Sequence, residues 1–282
     1  MLFDINLLKE PKEYIDEYKK NQLQFEIEGR FDENVDGVTY EGTLPVDENF
    51  EFIKKGVKNW FKHKIYLSVL KKYTKQINNQ LTNLKIVGKE NLKGIKNCIA
   101  TCNHVSKVDS FAVRAAIGMD INYVAADYNN WDNILGEVGR NTGYIPLSPS
   151  LDRILMRKFN EAIEYYLLKK KKRILFYPEQ AMWREEARPR PLKDGAFHYA
   201  VKHNVPVLPL FITFEPKEKM VDDQGRQEFS DYTIHILPPI YPKENLTNRE
   251  NVRYMRDANY EAWKTCYEET YNIPLEFNIN EQ

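Results

Sequence analysis

A histidine and an aspartate lie five positions apart within residues 103–109, directly after an apolar stretch at residues 98–102. Histidine is the side chain that most readily gains and loses a proton near neutral pH. A carboxylate bonded to one ring nitrogen fixes the tautomer and supports the imidazolium that forms when the other nitrogen accepts a proton. The pair His104 and Asp109 therefore predicts a general base that acts on a hydroxyl or amine group. For an isolated pair, the alternative is a helix-capping aspartate beside a structural histidine.

Three further segments follow this motif along the chain. Residues 143–147 are followed by Arg153, residues 177–181 place a carboxylate directly after an apolar stretch, and residues 205–210 are apolar and framed by prolines. In this order and spacing, the four segments resemble the glycerolipid acyltransferases. That family includes the glycerol-3-phosphate and 1-acylglycerol-3-phosphate acyltransferases and their lysophospholipid relatives. The resemblance covers roughly residues 84–240.

The first motif of that family is Asn-His-x-Ser-x-x-Asp, and it is matched here by Asn103, His104, Ser106 and Asp109. The third motif, Phe-Pro-Glu-Gly, is approximated by residues 177–180, where Gln180 stands in place of the glycine. The arginine that often follows is replaced by Met182 and Trp183. These departures leave the usual phosphate contact of the third motif open. Nearby basic residues are candidates to replace it, namely Arg184, Arg188, Arg190 and Lys193.

The resemblance implies direct acyl transfer to a hydroxyl group. His104 takes the proton of the acceptor hydroxyl while Asp109 holds the ring, and the oxygen attacks the thioester of acyl-CoA or acyl-carrier protein. Neither a metal ion nor an organic cofactor is implied. The absence of a Gly-x-Ser-x-Gly nucleophile motif agrees with a transfer that uses no serine nucleophile.

Six residues are implied to bind substrate: Ser106, Lys107, Arg153, Glu179, Gln180 and Ala181. Two of these roles stay open. Glu179 either binds acceptor hydroxyl groups or orders the site, or it is a strand-end carboxylate that caps a turn. Arg153 lies later than the arginine of the family's second motif, so it either binds the acceptor or only begins a helix.

Strand and helix patterns alternate from about residue 97 onward. Apolar runs predict strands, and 3.6-residue periodicity predicts helices. Repeated alternation predicts an α/β fold with a mixed, largely parallel sheet flanked by helices and with an N-terminal helical or extended appendage. We expect the appendage at residues 1–80 and the acyltransferase-like domain at 81–282. The strands are expected at 84–88, 98–102, 121–125, 144–147, 174–177, 206–214 and 232–237. Helices are expected at 1–22, 109–118, 131–139, 152–170, 193–203 and 248–271, and residues 51–80 are expected to form one or two helices. Residues 25–50 are expected to form strands or an extended arm.

Charge is balanced overall but unevenly distributed. The 41 basic and 41 acidic side chains give no net charge, which does not favour nucleic acid as a partner. Residues 1–50 nevertheless carry a net charge of −8, and residues 51–75 a net charge of +7. Aromatic and aliphatic side chains are threaded among the lysines of residues 51–75, a composition suited to the surface of an anionic membrane. This stretch is a candidate for peripheral membrane contact, and an amphipathic helix packed on the catalytic domain is the alternative.

Cysteine usage and hydropathy restrict the cellular location. The three cysteines, Cys98, Cys102 and Cys266, show no paired spacing, which favours a reducing compartment. The amino terminus has no basic and apolar signal-peptide pattern, and no apolar run approaches the roughly 18 residues of a membrane-spanning helix. We therefore expect a cytoplasmic protein that is either free or peripheral on the inner face of the membrane.

Three alternative functions remain open at this point. The first is transfer to a different acceptor, such as another lipid, a sugar lipid or an amine. The second is a catalytically silent lipid-binding protein of the same fold. The third is a hydrolase that uses the same histidine to activate water.

Overall fold

A seven-stranded sheet forms the centre of the computed structural model, which describes residues 4–148 and 152–278. Its spatial order is β1-β7-β6-β2-β5-β3-β4. All neighbouring strands are parallel except β6 and β7, which are antiparallel. The strands are β1 (Lys85–Val87), β2 (Ile99–Cys102), β3 (Asn122–Ala126), β4 (Tyr144–Leu147), β5 (Ile174–Phe176), β6 (Val207–Glu215) and β7 (Asp231–Ile236).

Seven α-helices accompany the sheet in the described ranges. They are α1 (Lys12–Ile27), α2 (Val57–Gln80), α3 (Asp109–Ile117), α4 (Ile134–Asn141), α5 (Arg153–Glu164), α6 (Gly195–Lys202) and α7 (Asn248–Tyr271). A π-helical turn at Tyr165–Lys169 continues α5. Within residues 4–148 and 152–278, no helix is both long and apolar enough to cross a bilayer.

The central strands are buried on both faces, as expected for parallel strands covered by helices. Every residue of β2 and β5 is buried. Side chains alternate between the two faces, so Ala100 packs with Val113 and Ile117 of α3, whereas Ile99 packs with Phe159 of α5 and Phe197 of α6. This double cover holds the carboxyl ends of β2 and β5 in register, with Thr101 opposite Phe176.

The predicted α/β fold with a mixed, largely parallel sheet is confirmed. All seven expected strands are present with ends shifted by at most a few residues, because each expected strand coincided with an apolar run. The one or two helices expected at 51–80 are the single helix α2, and the helix expected at 152–170 consists of α5 and its π turn. The first three residues of the helix expected at 1–22 lie outside the described part. The boundary expected at residue 80 stays a prediction.

The strands expected within residues 25–50 are absent from the structure. Its first residues complete α1, which ends at Ile27, and the remainder is an irregular arm with only one isolated bridge, between Thr43 and Trp131. Glycines in the left-handed region, Gly37 among them, turn the arm before a strand can extend. Alternation of apolar and polar residues was therefore a misleading signal for strands in this stretch.

Candidate active site

The histidine motif forms the turn between β2 and α3, at the carboxyl edge of the sheet where sites form in α/β folds. His104 Nδ1 lies 2.9 Å from Asp109 Oδ2. The same oxygen accepts hydrogen bonds from the backbone N–H groups of Val105 at 2.8 Å and Ser106 at 2.9 Å. Asp109 is the first residue of α3, so its carboxylate both ends the turn and holds the ring.

The surroundings of this pair leave one face of the imidazole accessible. Asp109 is fully buried, whereas 23% of the His104 side chain is exposed. Burial raises the pKa of the Asp109 carboxyl, although its three donors favour the ionised form. With Nδ1 directed at Asp109, Nε2 is the ring atom available to a substrate, and no partner within the described residues hydrogen-bonds to it. The arrangement is that of a general base held in one tautomer.

A tyrosine ring fixes the plane of the histidine. Tyr177 directly follows β5 and stacks on His104, with ring centroids 4.0 Å apart and an interplanar angle of 17°. Burial holds the pKa of the Tyr177 hydroxyl well above its ordinary value, so this group stays neutral. Cys102 also lies beside the motif, but burial raises the pKa of its thiol well above the ordinary value. Cys102 therefore serves as a core residue, and a thiolate nucleophile is disfavoured.

Both carboxylate oxygens of Glu179 accept hydrogen bonds from other groups of the protein. Its Oε2 accepts hydrogen bonds from the backbone N–H of His104 at 2.9 Å and from Arg190 Nη2 at 2.8 Å, and its Oε1 accepts one from the Arg190 backbone at 2.9 Å. Both side chains are 1% exposed. Of the roles left open for Glu179, this geometry favours ordering of the site over direct contact with acceptor hydroxyls. The carboxylate ties the loop after β5 to the backbone of the histidine.

The loop after β5 lies alongside the histidine turn. Trp183 N–H donates to the His104 carbonyl at 3.0 Å, and Glu185 N–H donates to the Val105 carbonyl at 2.9 Å. Gln180 is exposed and has a φ of 69°, the left-handed conformation that favours glycine. Gln180 therefore adopts, at some strain, a backbone conformation that a glycine at this position would adopt freely. Ala181 is buried, and its carbonyl accepts from Arg190.

Ser106 and Lys107 lie in the histidine turn, whereas Arg153 lies apart from it. Ser106 is buried, and its Oγ accepts from the Val108 N–H at 3.3 Å, so it shapes the turn. Lys107 Nζ pairs with Glu10 at 3.0 Å. Arg153 is exposed at the start of α5, which follows β4. Because β4 is three strands from β2, the strand that precedes the helix of Arg153 lies about 14 Å to the side of β2.

The amino-terminal segment covers this side of the molecule with carboxylates. We define the carboxyl-edge cluster as the cations Lys107, Arg184, Arg188, Arg190 and Lys193. All five pair with carboxylates, and four of them pair with carboxylates of the amino-terminal segment. Glu10 bridges Lys107 and Arg184. Glu26 pairs with Arg188 and Asp32 pairs with Lys193, both at 2.7 Å, whereas Arg190 pairs with Glu179. The cavity left beside Ser106 under this cover is only about 40 Å³. The proposed replacements for the phosphate contact are thus already neutralised.

Three contributors to the site had no clear sequence signal. Arg190 lies eleven positions beyond Glu179 in a segment without helix or strand, so no periodicity relates the two residues. Glu10 lies 174 positions before Arg184, so only the opposite charges of the two regions hinted at their contact. Tyr177 belonged to the third motif, but its stacking on His104 depends on the adjacency of β2 and β5.

Comparisons with known proteins agree with this geometry. The family model described as acyltransferase matches residues 83–213, which include His104, Asp109, Glu179 and Arg190. The 1-acyl-sn-glycerol-3-phosphate acyltransferase BAT2, chloroplastic, of Brassica napus is 27% identical over 157 residues, which are 55% of this chain and 44% of that protein. The 1-acyl-sn-glycerol-3-phosphate acyltransferase of Limnanthes douglasii is 27% identical over 130 residues, 46% of this chain and 45% of that protein. The chain thus spans less than half the length of these curated relatives.

A solved structure shares the fold. The crystal structure of the 1-acyl-sn-glycerophosphate acyltransferase PlsC from Thermotoga maritima superposes with a TM-score of 0.56 at 22% identity. The match covers 75% of this chain and 82% of that one. The mostly parallel sheet with flanking helices is therefore an architecture on which a known acyltransferase is built.

Proposed function

Residues 83–213 belong to the acyltransferase family that the sequence resembles, and from this premise we propose that the protein is an O-acyltransferase. It moves a fatty acyl group from acyl-CoA or acyl-carrier protein to a hydroxyl group of a glycerophosphate or lysophospholipid. The observation that carries the proposal is the His104–Asp109 pair, 2.9 Å apart at the carboxyl edge of the sheet with the ring accessible. The names of the curated relatives support an acceptor of this class.

The reaction balances without a further reactant. The acceptor hydroxyl gives its proton to His104 Nε2 while its oxygen forms a bond to the thioester carbonyl carbon. The resulting tetrahedral intermediate breaks its carbon–sulfur bond, and the departing thiolate takes the proton from the imidazolium. Asp109 stabilises the imidazolium between the two steps, and the stacked Tyr177 keeps Nε2 directed outward. Because His104 supplies the base and the thioester supplies an activated acyl group, we propose no metal ion and no organic cofactor.

The anionic part of the acceptor has a natural binding place beside the histidine. Lys107 and Arg184 converge on the carboxylate of Glu10, which they hold as they would hold a phosphate oxygen. Burial lowers the pKa of the Lys107 ammonium, although Glu10 opposes this shift. We propose that the acceptor phosphate replaces Glu10 at these two cations. Glu179 then acts as a positioning residue, because its oxygens are occupied by Arg190 and the backbone of His104.

We further propose that the protein works at the cytoplasmic face of a membrane as a peripheral protein. Along the first half of α2, four apolar side chains are between 54% and 71% exposed: Val57, Trp60, Phe61 and Ile65. Exposed lysines alternate with them, among them Lys58 and Lys62. Two other apolar side chains of the basic stretch, Phe52 and Leu70, are buried in the fold. The candidate contact predicted at residues 51–75 is thus narrowed to one helical face.

Membrane contact is tested by vesicle co-sedimentation. The variant Trp60→Ser with Phe61→Ser removes two interfacial side chains and is expected to lose most of its binding to vesicles of phosphatidylcholine and phosphatidylglycerol. The matched control, Val38→Ser with Ile273→Ser, removes two apolar side chains of similar exposure away from α2. Equal binding of the two variants would contradict a contact through this face.

The transfer reaction is tested by mass spectrometry of the products. Purified protein is incubated with acyl-CoA or acyl-carrier protein and with acceptors that carry or lack a phosphate. His104→Ala is expected to lower the rate by about 10²- to 10⁴-fold, the usual contribution of a general base. His198→Ala removes an exposed histidine on α6 and is expected to keep full activity.

The other functions predict different products. Free fatty acid without an acylated acceptor would indicate a hydrolase. An ester formed only with a sugar lipid, or an amide formed only with an amine, would replace the acceptor class. Absence of any product, with equal lipid binding by wild type and His104→Ala, would identify a silent lipid-binding protein and overturn the enzymatic proposal.

A further inference from the structure

The structure contains a second polar cavity at the opposite edge of the sheet from His104. This amino-edge cavity has a volume of about 320 Å³, within the range of small-molecule sites. Asn122 and Tyr144, which begin β3 and β4, lie on one side of it, and Trp60 of α2 and Tyr165 of the π turn lie on others. Because the histidine follows the carboxyl end of β2, the cavity is separate from the candidate active site.

Six cations line the amino-edge cavity: Lys54, Lys55, Lys64, Arg140, Lys170 and Lys172. Two carboxylates also line it, and both have protein partners. Asp120 pairs with Lys172 at 2.6 Å and with His63 at 3.0 Å, and Glu51 accepts from Asn59 at 3.3 Å. The lining therefore carries a clear excess of positive charge.

Four of these ammonium groups have no carboxylate within 4.0 Å among the described residues: Lys54, Lys55, Lys64 and Lys170. They have neutral neighbours instead. Lys55 and Lys170 each lie 5.6 Å from the ring centroid of Tyr165, and Lys54 Nζ lies 3.5 Å from Asn141 Oδ1. Lys54 is partly buried, whereas Lys55, Lys64 and Lys170 are exposed. For Lys54, an ammonium group partly withdrawn from water without a close counterion is costly, and a bound anion removes that cost.

Arg140 extends the same pattern. Its guanidinium donates to Asn130 Oδ1 at 3.0 Å and to the Trp131 carbonyl at 2.7 Å, both neutral acceptors. Burial lowers the pKa of the Lys54 ammonium, and the nearby charges of Arg140 and Lys62 lower it further, whereas Glu51 opposes them. The cationic lining is thus mutually repulsive in the free protein.

A buried acceptor atom in the lining specifies the ligand further. Asn122 is only 2% exposed, and its Oδ1 has no hydrogen-bond donor, while its Nδ2 donates to the Gly143 carbonyl at 3.2 Å. Such a buried acceptor requires an O–H or N–H donor. A ligand that satisfies both features carries an anionic phosphate for the lysines and a hydroxyl group for Asn122.

We propose that the amino-edge cavity binds a phosphate ester of a polyol, such as a glycerol phosphate group. The phosphate lies among Lys54, Lys55 and Lys170, where its oxygens accept charge-assisted hydrogen bonds. A hydroxyl of the polyol donates to Asn122. The site lies beside the exposed apolar face of α2, so a lipid headgroup and a free phosphate ester are both sources of this chemistry. The proposal stands whether or not His104 catalyses transfer.

The test compares two variants of equal charge. Lys54→Gln/Lys55→Gln/Lys170→Gln alters the cavity, and Lys71→Gln/Lys72→Gln/Lys75→Gln alters three exposed lysines of α2 outside it. Calorimetry measures the binding of glycerol 3-phosphate, with glycerol and inorganic phosphate as reference ligands. The cavity variant is expected to lose at least about tenfold in affinity for glycerol 3-phosphate, because three charge-assisted bonds are removed. The control is expected to retain wild-type affinity.

Co-sedimentation with vesicles of phosphatidylcholine, with and without phosphatidylglycerol, separates the two sources. Loss of phosphatidylglycerol-dependent binding in the cavity variant alone would identify a lipid headgroup. If the cavity variant lost only its binding of glycerol 3-phosphate and kept its binding to vesicles, the ligand would be a free ester. Either of these two results would support the site. Asn122→Ala is expected to weaken the binding of glycerol 3-phosphate but not the binding of inorganic phosphate. Equal losses in the cavity and control variants would indicate a diffuse charge effect and overturn the proposal.

Discussion

The carboxyl-edge cluster and the amino-edge cavity place cations at opposite edges of one sheet, and the protein neutralises them differently. At the carboxyl edge, carboxylates of the same chain pair with each cation, and most of them come from the acidic amino-terminal segment. At the amino edge, four lysines have no carboxylate within 4.0 Å among the described residues. The net charges of residues 1–50 and 51–75, opposite in sign, thus end up on different sides of the molecule.

The difference separates cations that stabilise the fold from cations that are free to bind. A paired cation contributes to the folded state, and an external anion must first displace its partner. An unpaired cation in a cavity repels its neighbours until an anion arrives, so its charge is available for recognition. Glu10 is intermediate, because the two cations it bridges are partly exposed and lie next to His104.

The largest expected effect comes from breaking the most deeply buried pair. Arg190→Met leaves the carboxylate of Glu179 buried without its partner. We expect the free energy of unfolding to fall by about 3–5 kcal/mol, the usual cost of removing one member of a buried pair. Urea denaturation at unchanged m-value measures this loss.

The matched control is Lys55→Met in the amino-edge cavity, which removes a cation that has no carboxylate partner. We expect a change within about 0.5 kcal/mol, as for most partly exposed substitutions. Similar losses in the two variants would show that charge pairing does not distinguish the two edges.

Local patterns predicted most of the fold but little of this charge arrangement. The strands coincide with apolar runs, and the pairing of His104 with Asp109 needs only a strand, a turn and a helix start. Glu179 was placed near the histidine because the carboxyl ends of parallel strands meet at one edge. Its pairing with Arg190, however, depends on the path of a loop with no periodic structure. The contacts of Glu179 that favour an ordering role over direct contact with the acceptor are therefore visible only in three dimensions.

Long-range contacts account for the remaining surprises. The cover of carboxylates over the carboxyl-edge cluster joins residues more than 150 positions apart, and no local pattern specifies such a contact. Similarly, the packing of α2 on α3 and α4 determines which aromatic side chains of the 51–75 stretch lie in the core and which lie on the surface. Composition alone identified the charge asymmetry but could not assign partners.

The second prediction concerns Glu10, the carboxylate that occupies the proposed acceptor site. Glu10→Gln removes the charge that competes with an external anion at Lys107 and Arg184. We expect about fivefold tighter binding of inorganic phosphate at the carboxyl edge, since a partly exposed ion pair is worth up to about 1 kcal/mol. Calorimetry in the Lys54→Gln/Lys55→Gln/Lys170→Gln background isolates this site.

Glu13→Gln is the control for that measurement, because Glu13 is an exposed acid on the first turn of α1. It is expected to leave phosphate affinity unchanged. If both substitutions strengthened binding equally, the general reduction of negative charge would be the cause, and Glu10 would have no special role.

Acid is expected to loosen the carboxylate cover before the sheet. A hydrogen bond from Lys193 lowers the pKa of Asp32; burial raises the pKa of Glu26, but bonds from Arg188 and Asn278 outweigh this and leave it lowered. A lowered carboxyl pKa contributes stability that is complete above the ordinary value near 4 and is lost as the pH falls through the lowered value. Hydrogen exchange of α1, corrected for intrinsic rates, is expected to accelerate about threefold between pH 6 and pH 3.

The buried strand β6 serves as the internal reference for that experiment. Its protection is expected to persist at pH 3. If α1 and β6 lost protection together, the cover would not be an independently opening element, and its carboxylates would support the whole fold.

The smallest expected effect is a change in the free energy of unfolding that has opposite signs at the two edges of the sheet. Lys193→Gln removes a half-exposed ion pair with Asp32 and is expected to lower the free energy of unfolding by about 0.5 kcal/mol. Lys170→Gln relieves repulsion in the amino-edge cavity and is expected to raise it by up to about 0.5 kcal/mol. Urea denaturation at low ionic strength measures both changes. Because 1 M salt shortens the screening length to about 3 Å, both differences should then shrink toward zero. Changes of the same sign, or changes that persist in salt, would attribute the effects to packing of the lysine stems and not to charge.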